Sequence, residues 1–100
     1  MSDVVTDKAG RKIELRRVGV LEQLRLFKAL GPRLSEITPY LGLAKIAASV
    51  AMIDDVPVPF PASEANVEAL LERLGEDGVE AVGLRLAQGR SENVVAEAGN

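Results

Sequence analysis

The sequence contains neither cysteine nor histidine. Without cysteine there are no disulfides, thiolate metal sites, iron–sulfur clusters or cysteine nucleophiles, a usage that suits a cytoplasmic chain. Without histidine the commonest general base and metal ligand are missing too, so any catalysis would fall to carboxylates, hydroxyls and lysines. The composition therefore points away from an enzyme and offers no cofactor or metal site. Aromatic residues are scarce: Phe27, Tyr40 and Phe60 are the whole set. Base-stacking platforms and sugar clefts use several aromatic faces, and both readings weaken accordingly. No apolar run approaches the ~20 residues that span a bilayer, and the start, MSDVVTDKAGRKIELRR, lacks the apolar core of a secretory signal.

What the chain does have is an uneven distribution of charge. Residues 1–50 hold nine Lys/Arg against five Asp/Glu, and residues 51–100 three against ten, so a net of +4 faces a net of −7. The simpler reading is attraction between the halves within one fold. The other is head-to-tail self-association, the basic surface of one copy meeting the acidic surface of the next. At 100 residues the chain has the size of a single domain able to bury roughly two-thirds of its unfolded surface. A compact domain over 1–89 is expected, with the aperiodic segment from residue 90 to 100 as a flexible tail.

The pattern predicts an α+β fold, mainly α, with about four helices, an N-terminal antiparallel β-hairpin and a second hairpin near 51–60. Val4 to Thr6 and Lys12 to Arg17 flank the polar turn DKAG, and Ile13 and Leu15 alternate onto one face. Gly19 precedes a helix from Val20 to Leu30 whose stripe holds Leu21, Leu24 and Phe27; Gly31 and Pro32 stop it. Thr38 as N-cap and Pro39 at the first helical position start a second helix reaching toward Met52. Its Gly42, Ala44, Ala47 and Ala48 permit close approach of another backbone. Ser63 caps a third helix with Val67, Leu70, Leu71 and Leu74 at helical spacing, ended by Gly75. Asp77 and Glu80 form a capping box for a fourth, in which Gly83 marks a close contact.

No motif carries chemistry. Asp54 and Asp55 are adjacent acids with no third ligand nearby, and turn residues between AMI and VPV explain them better than a metal does. The glycines form neither GxGxxG nor GxxxxGK[ST], and no serine lies in GxSxG. The basic set Lys8, Arg11, Lys12, Arg16, Arg17, Arg25, Lys28 and Arg33 would make a nucleic-acid footprint if it converged on one surface. Against that, the helix in the recognition position of the one helix-turn-helix-like pair carries a single basic residue, Lys45.

The segment AMIDDVPVPFP has prolines at 57, 59 and 61. In an extended strand, alternate residues direct their backbone groups to opposite edges, so these three prolines strip one edge of donors while Val56, Val58 and Phe60 keep theirs on the other. A strand of this kind pairs along one side and is guarded along the second. With IDDV as a tight turn, Ala51 to Ile53 can pair with Val56 to Val58. The arm then either completes the domain's own sheet or offers Val56, Val58 and Phe60 to a neighbouring copy.

Taken together, the TDKAGRKIELR hairpin, the stretch RLFKALGPRLSEITPYLGLAKIAASVAMIDDVPVPFPASEANVEALLERLG and the following EDGVEAVGLRL resemble the tail assembly chaperones of long-tailed bacteriophages and prophages. The resemblance covers most of residues 4–87 and centres on IDDVPVPFP. It implies an assembly factor of the bacterial host cytoplasm that coats the helical tape measure protein during tail morphogenesis and leaves before the virion is complete. It also implies a longer frameshifted form that recruits the tail tube protein.

A chaperone of helical segments needs apolar surface beyond its own core and no catalytic residues. Leu26, Leu43, Val56, Val58, Phe60 and Leu84 are the candidates for partner contact, being apolar in excess of one core-facing stripe. Other classes fit the same composition: a structural tail or head-completion subunit retained in the particle, and a small nucleic-acid-binding regulator.

Overall fold

The structure is a computed structural model that describes residues 3–98, with side chains described as far as residue 88. The fold is α+β and mainly helical. Its elements follow the order β1 (Asp3–Thr6), β2 (Lys12–Leu15), α1 (Val20–Ser35), α2 (Thr38–Ala48), β3 (Val50–Ile53), β4 (Val56–Pro57) and α3 (Glu64–Ala98). Both expected hairpins form, and they are joined. The strands make one antiparallel sheet in the order β1-β2-β3-β4, because Ile13 pairs with Ile53 and Glu14 with Met52 across the middle.

A bulge between β2 and β3 follows, with Leu15 pairing to Val50. One extra residue in β3 lets Val50 and Ile53, three apart, both turn to the covered face, where strict alternation would separate them. Ile13, Leu15, Val50 and Ile53 are buried there. Leu26 and Leu30 of α1, Ala44, Ala47 and Ala48 of α2, and Val67, Leu70, Leu74 and Val82 of α3 complete a single core.

The helix count differs from expectation: among the described residues there are three, two of them broken. Gly31 (φ 84°) and Gly75 (φ 66°) do leave helical geometry, as their positions predict, but helix resumes at once beyond each. Pro32 supports the first restart, since its fixed φ suits an opening helical position and its missing N–H would have no partner there. Ser63 caps α3 as expected, its Oγ accepting from the N–H of Asn66 at 3.2 Å. Glu80 pairs with Lys8 at 3.3 Å rather than closing a capping box with Asp77.

α2 ends sooner than its composition suggests. It begins at Thr38 with Ile37 in the cap position and stops at Ala48, so Val50 to Met52 enter the sheet instead of the helix. Ser49 marks the exit, its hydroxyl turning back to donate to the Lys45 carbonyl at 2.8 Å. The alanine face does what small residues permit: Ala44, Ala47 and Ala48 are wholly buried, and α2 packs along α3. The close approach expected at Gly83 lies instead at Gly78, where a Cβ would stand 3.0 Å from the Leu74 Cβ and 3.2 Å from Arg11 Nη2. Helical backbone continues to Ala98; the side chains of the expected tail, 90–100, lie outside the described residues.

Candidate partner-binding surface

The hairpin at 51–58 is built as the edge argument requires. The N–H of Val58 donates to the Ala51 carbonyl at 2.8 Å, and Met52 pairs with Pro57. β4 therefore completes the domain's own sheet and turns its proline side outward. Asp54 (φ 48°) and Asp55 (φ 67°) form the two-residue turn, both left-handed, which is the type I′ geometry that matches strand twist. Asp54 has a second task. Its Oδ1 accepts from the Lys12 N–H at 2.8 Å while its own N–H donates to the Lys12 carbonyl at 2.7 Å, extending the β2–β3 ladder by a side chain. Asp55 holds the Lys12 ammonium at 3.7 Å.

Beyond β4 the chain is latched by Arg16. Its Nη2 donates to the carbonyls of Val50, at 2.8 Å, and Val58, and its guanidinium carbon lies 5.8 Å from the centroid of the Phe60 ring. Burial pushes this guanidinium down from its usual value, and Nε is buried without a partner among the described residues. The Val58–Pro61 segment also lines an open groove of about 240 Å³, together with Ala69 and Leu70 and with Asn66 and Arg73.

Placement sorts the expected contact residues into two groups. Leu26 and Val58 are buried and belong to the core, and Phe60 is partly buried against it. Leu43, Val56 and Leu84 are exposed, but on α2, β4 and α3 respectively, so the six do not form one site. Among the described side chains the largest apolar exposure is on α1. Val20, Leu21 and Leu24 are 86%, 53% and 62% exposed. Here the expected stripe is inverted: Leu26 and Leu30 face the core, while Leu21 and Leu24 face out. The signal was present in the five leucines of α1, which fall on both stripes, but it does not say which stripe is inward.

Arg17, Arg25 and Lys28 are exposed around this apolar turn, and α1 packs mainly against α2. Four others of the basic set are engaged elsewhere. Lys8, Arg11 and Lys12 pair with Glu80, Asp7 and Asp55, and Arg16 holds main-chain carbonyls. The acidic half places Glu64, Glu68 and Glu72 at four-residue spacing on α3 before the break at Gly75, and Glu76 and Glu80 beyond it, all exposed. Tyr40 donates to Glu68 at 3.2 Å; burial first, then Glu68 and the charge of Glu64, push its phenol up. Among the described residues no three acids lie together as a metal site, and no helix is long and apolar enough to cross a membrane. Comparison with protein-family models, with characterised proteins and with solved structures finds no match to this chain.

Proposed function

We propose that the protein is a tail assembly chaperone of a long-tailed bacteriophage or prophage, acting in the host cytoplasm by reversible binding to the helical tape measure protein. The observation that supports it best is the apolar turn of α1: Val20, Leu21 and Leu24 exposed together, with Arg17, Arg25 and Lys28 around them. Apolar residues at one-turn spacing are what an amphipathic helix docks against, and a basic rim favours a client helix with acidic flanks. The tail tube protein is the partner proposed for a longer form.

Co-expression with the tape measure protein of the same genome tests this reading. The two proteins are expected to co-purify, and the double variant Leu21→Glu, Leu24→Glu to lose the client while keeping its fold. Failure of the wild-type pair to associate, with both proteins in solution, counts against the proposal, and detection of the chain in purified virions favours a structural subunit instead.

A further inference from the structure

The sheet has two outer strands that differ in what they present. Pro57 leaves the outer edge of β4 without a donor. On β1 the sequence is DVVT, with no proline or bulge, and among the described residues no strand pairs with its outer side. An open edge of β-branched residues is a template for another strand.

Which groups it offers follows from the hairpin register. The N–H of Asp7 donates to the Arg11 carbonyl at 3.2 Å, so Asp7 and Arg11 are a hydrogen-bonded pair. Antiparallel pairs alternate, which makes Val5 and Ile13 bonded and leaves Thr6 opposite Lys12, and Val4 opposite Glu14, unbonded to each other. Lys12 agrees with this, its N–H and carbonyl both being engaged by Asp54 on the β3 side. The N–H and C=O groups of Val4 and Thr6 therefore point away from the sheet.

We propose that two copies of the chain join through β1, antiparallel about a two-fold axis at Val5, into one continuous sheet with four strands from each copy. In that register Val4 stands opposite Thr6 of the other copy and Thr6 opposite its Val4, so every outward group of these residues finds a partner. A second copy fits better than an isolated strand because of α3. Arg85 clamps Asp3 through both carboxylate oxygens, at 3.0 and 2.8 Å, which fixes α3 beside β1, and the adjacent Leu84 is 58% exposed. A two-fold axis normal to the sheet puts both α3 helices on one face, next to the seam, where Leu84 gains apolar cover. The proline-stripped β4 edge stops the assembly at two copies. The pairing is independent of what α1 binds.

The test is the mass of the purified full chain by light scattering at submillimolar concentration, expected at twice the 10.6 kDa chain. Val4→Pro removes only an outward N–H, since Val4 does not donate to β2, and is expected to return the mass to that of one chain with the melting temperature retained. Leu24→Glu, on α1, is expected to leave the doubled mass unchanged. A wild-type chain that stays single, a Val4→Pro variant that stays double, or loss of the doubled mass in Leu24→Glu overturns the proposal. If Val4→Pro does not fold, amide exchange in the wild type decides: slowing at Val4 and Thr6 with rising concentration supports the pairing, and rates independent of concentration overturn it.

Discussion

Arg11 donates from Nη1 to the carbonyl oxygen of Arg73 at 2.9 Å, at the point where Gly75 breaks α3. Nη2 takes the Leu74 carbonyl, so one guanidinium satisfies two of the carbonyls that a helix break leaves without helical donors. Nε is held at 2.8 Å by Asp7, whose side chain has no solvent exposure. The N-terminal hairpin thus caps the first half of α3. Replacing Arg11→Met takes the guanidinium charge and its hydrogen bond from a buried carboxylate, which keeps the backbone N–H of residue 11, and leaves two carbonyls without their side-chain donor. We expect a loss on the order of 3 kcal/mol in denaturant unfolding; a midpoint equal to that of the wild type shows that the cap is dispensable.

Acid should act on the same contact. Burial alone would raise the Asp7 carboxyl, but the N–H and guanidinium of Arg11, its charge and the Ala9 N–H outweigh it, and the net displacement is downward. A carboxyl lowered in the fold stabilises it above its unfolded value, about 3.9, and that contribution fades as pH falls through the lower folded value. Stability is therefore expected to drop below about pH 4. Asp7→Asn should be less stable than the wild type at neutral pH and lose less on acidification. Parallel stability–pH curves for the two proteins contradict this.

Two glycines of α3 give opposite expectations. A Cβ at Gly78 meets the Leu74 Cβ at 3.0 Å and Arg11 Nη2 at 3.2 Å, displacing the guanidinium that caps the helix break. Gly78→Ala should cost about 1–3 kcal/mol by overpacking. At Gly83 the nearest atom is Ile46 Cδ1 at 3.4 Å, ordinary van der Waals contact with the end of a flexible side chain. Gly83→Ala is expected to gain up to about 1 kcal/mol from helix propensity. Thermal melts of the two single variants check the order, and a Gly83→Ala variant less stable than Gly78→Ala reverses it.

The local features were legible in the sequence. Gly31 and Gly75 announced breaks, Ser63 a cap, and the prolines a one-sided strand, because each acts through its own backbone chemistry. Features that depend on residues far apart were not. Joining the hairpins requires Ile13 to meet Ile53, a register that neither segment shows alone. The outward face of α1 was hidden because Leu21 and Leu24 on one stripe are as apolar as Leu26 and Leu30 on the other, and only contact with α2 decides between them. Arg11 and Asp7 read as members of a basic set and a polar turn; their pairing and the helix they cap appear only in three dimensions.

The guarded edge at β4 can be unguarded. Pro57→Thr combined with Pro59→Thr restores N–H groups on the outer side, while the Val58 to Ala51 bond on the inner side is untouched. The double variant is expected to form larger, concentration-dependent species, because both edges of its sheet are then open. Sedimentation velocity across a concentration series measures this; a distribution matching the wild type rules out the guarding role.

The turn between β3 and β4 should separate its two aspartates. Asp54 bonds Lys12 through both its side chain and its backbone, so Asp54→Ala leaves the Lys12 N–H unpaired and should cost about 1 kcal/mol. Asp55 keeps a left-handed φ of 67° and only a loose contact with the Lys12 ammonium, both partners being well exposed. Exposed ion pairs of that kind contribute little, whereas glycine adopts the conformation without steric cost. Asp55→Gly creates the Asp-Gly pair favoured in type I′ turns and is expected to stabilise by on the order of 0.5 kcal/mol. If denaturant unfolding shows both substitutions destabilising equally, the turn is held by its aspartates alike and the division of labour between them fails.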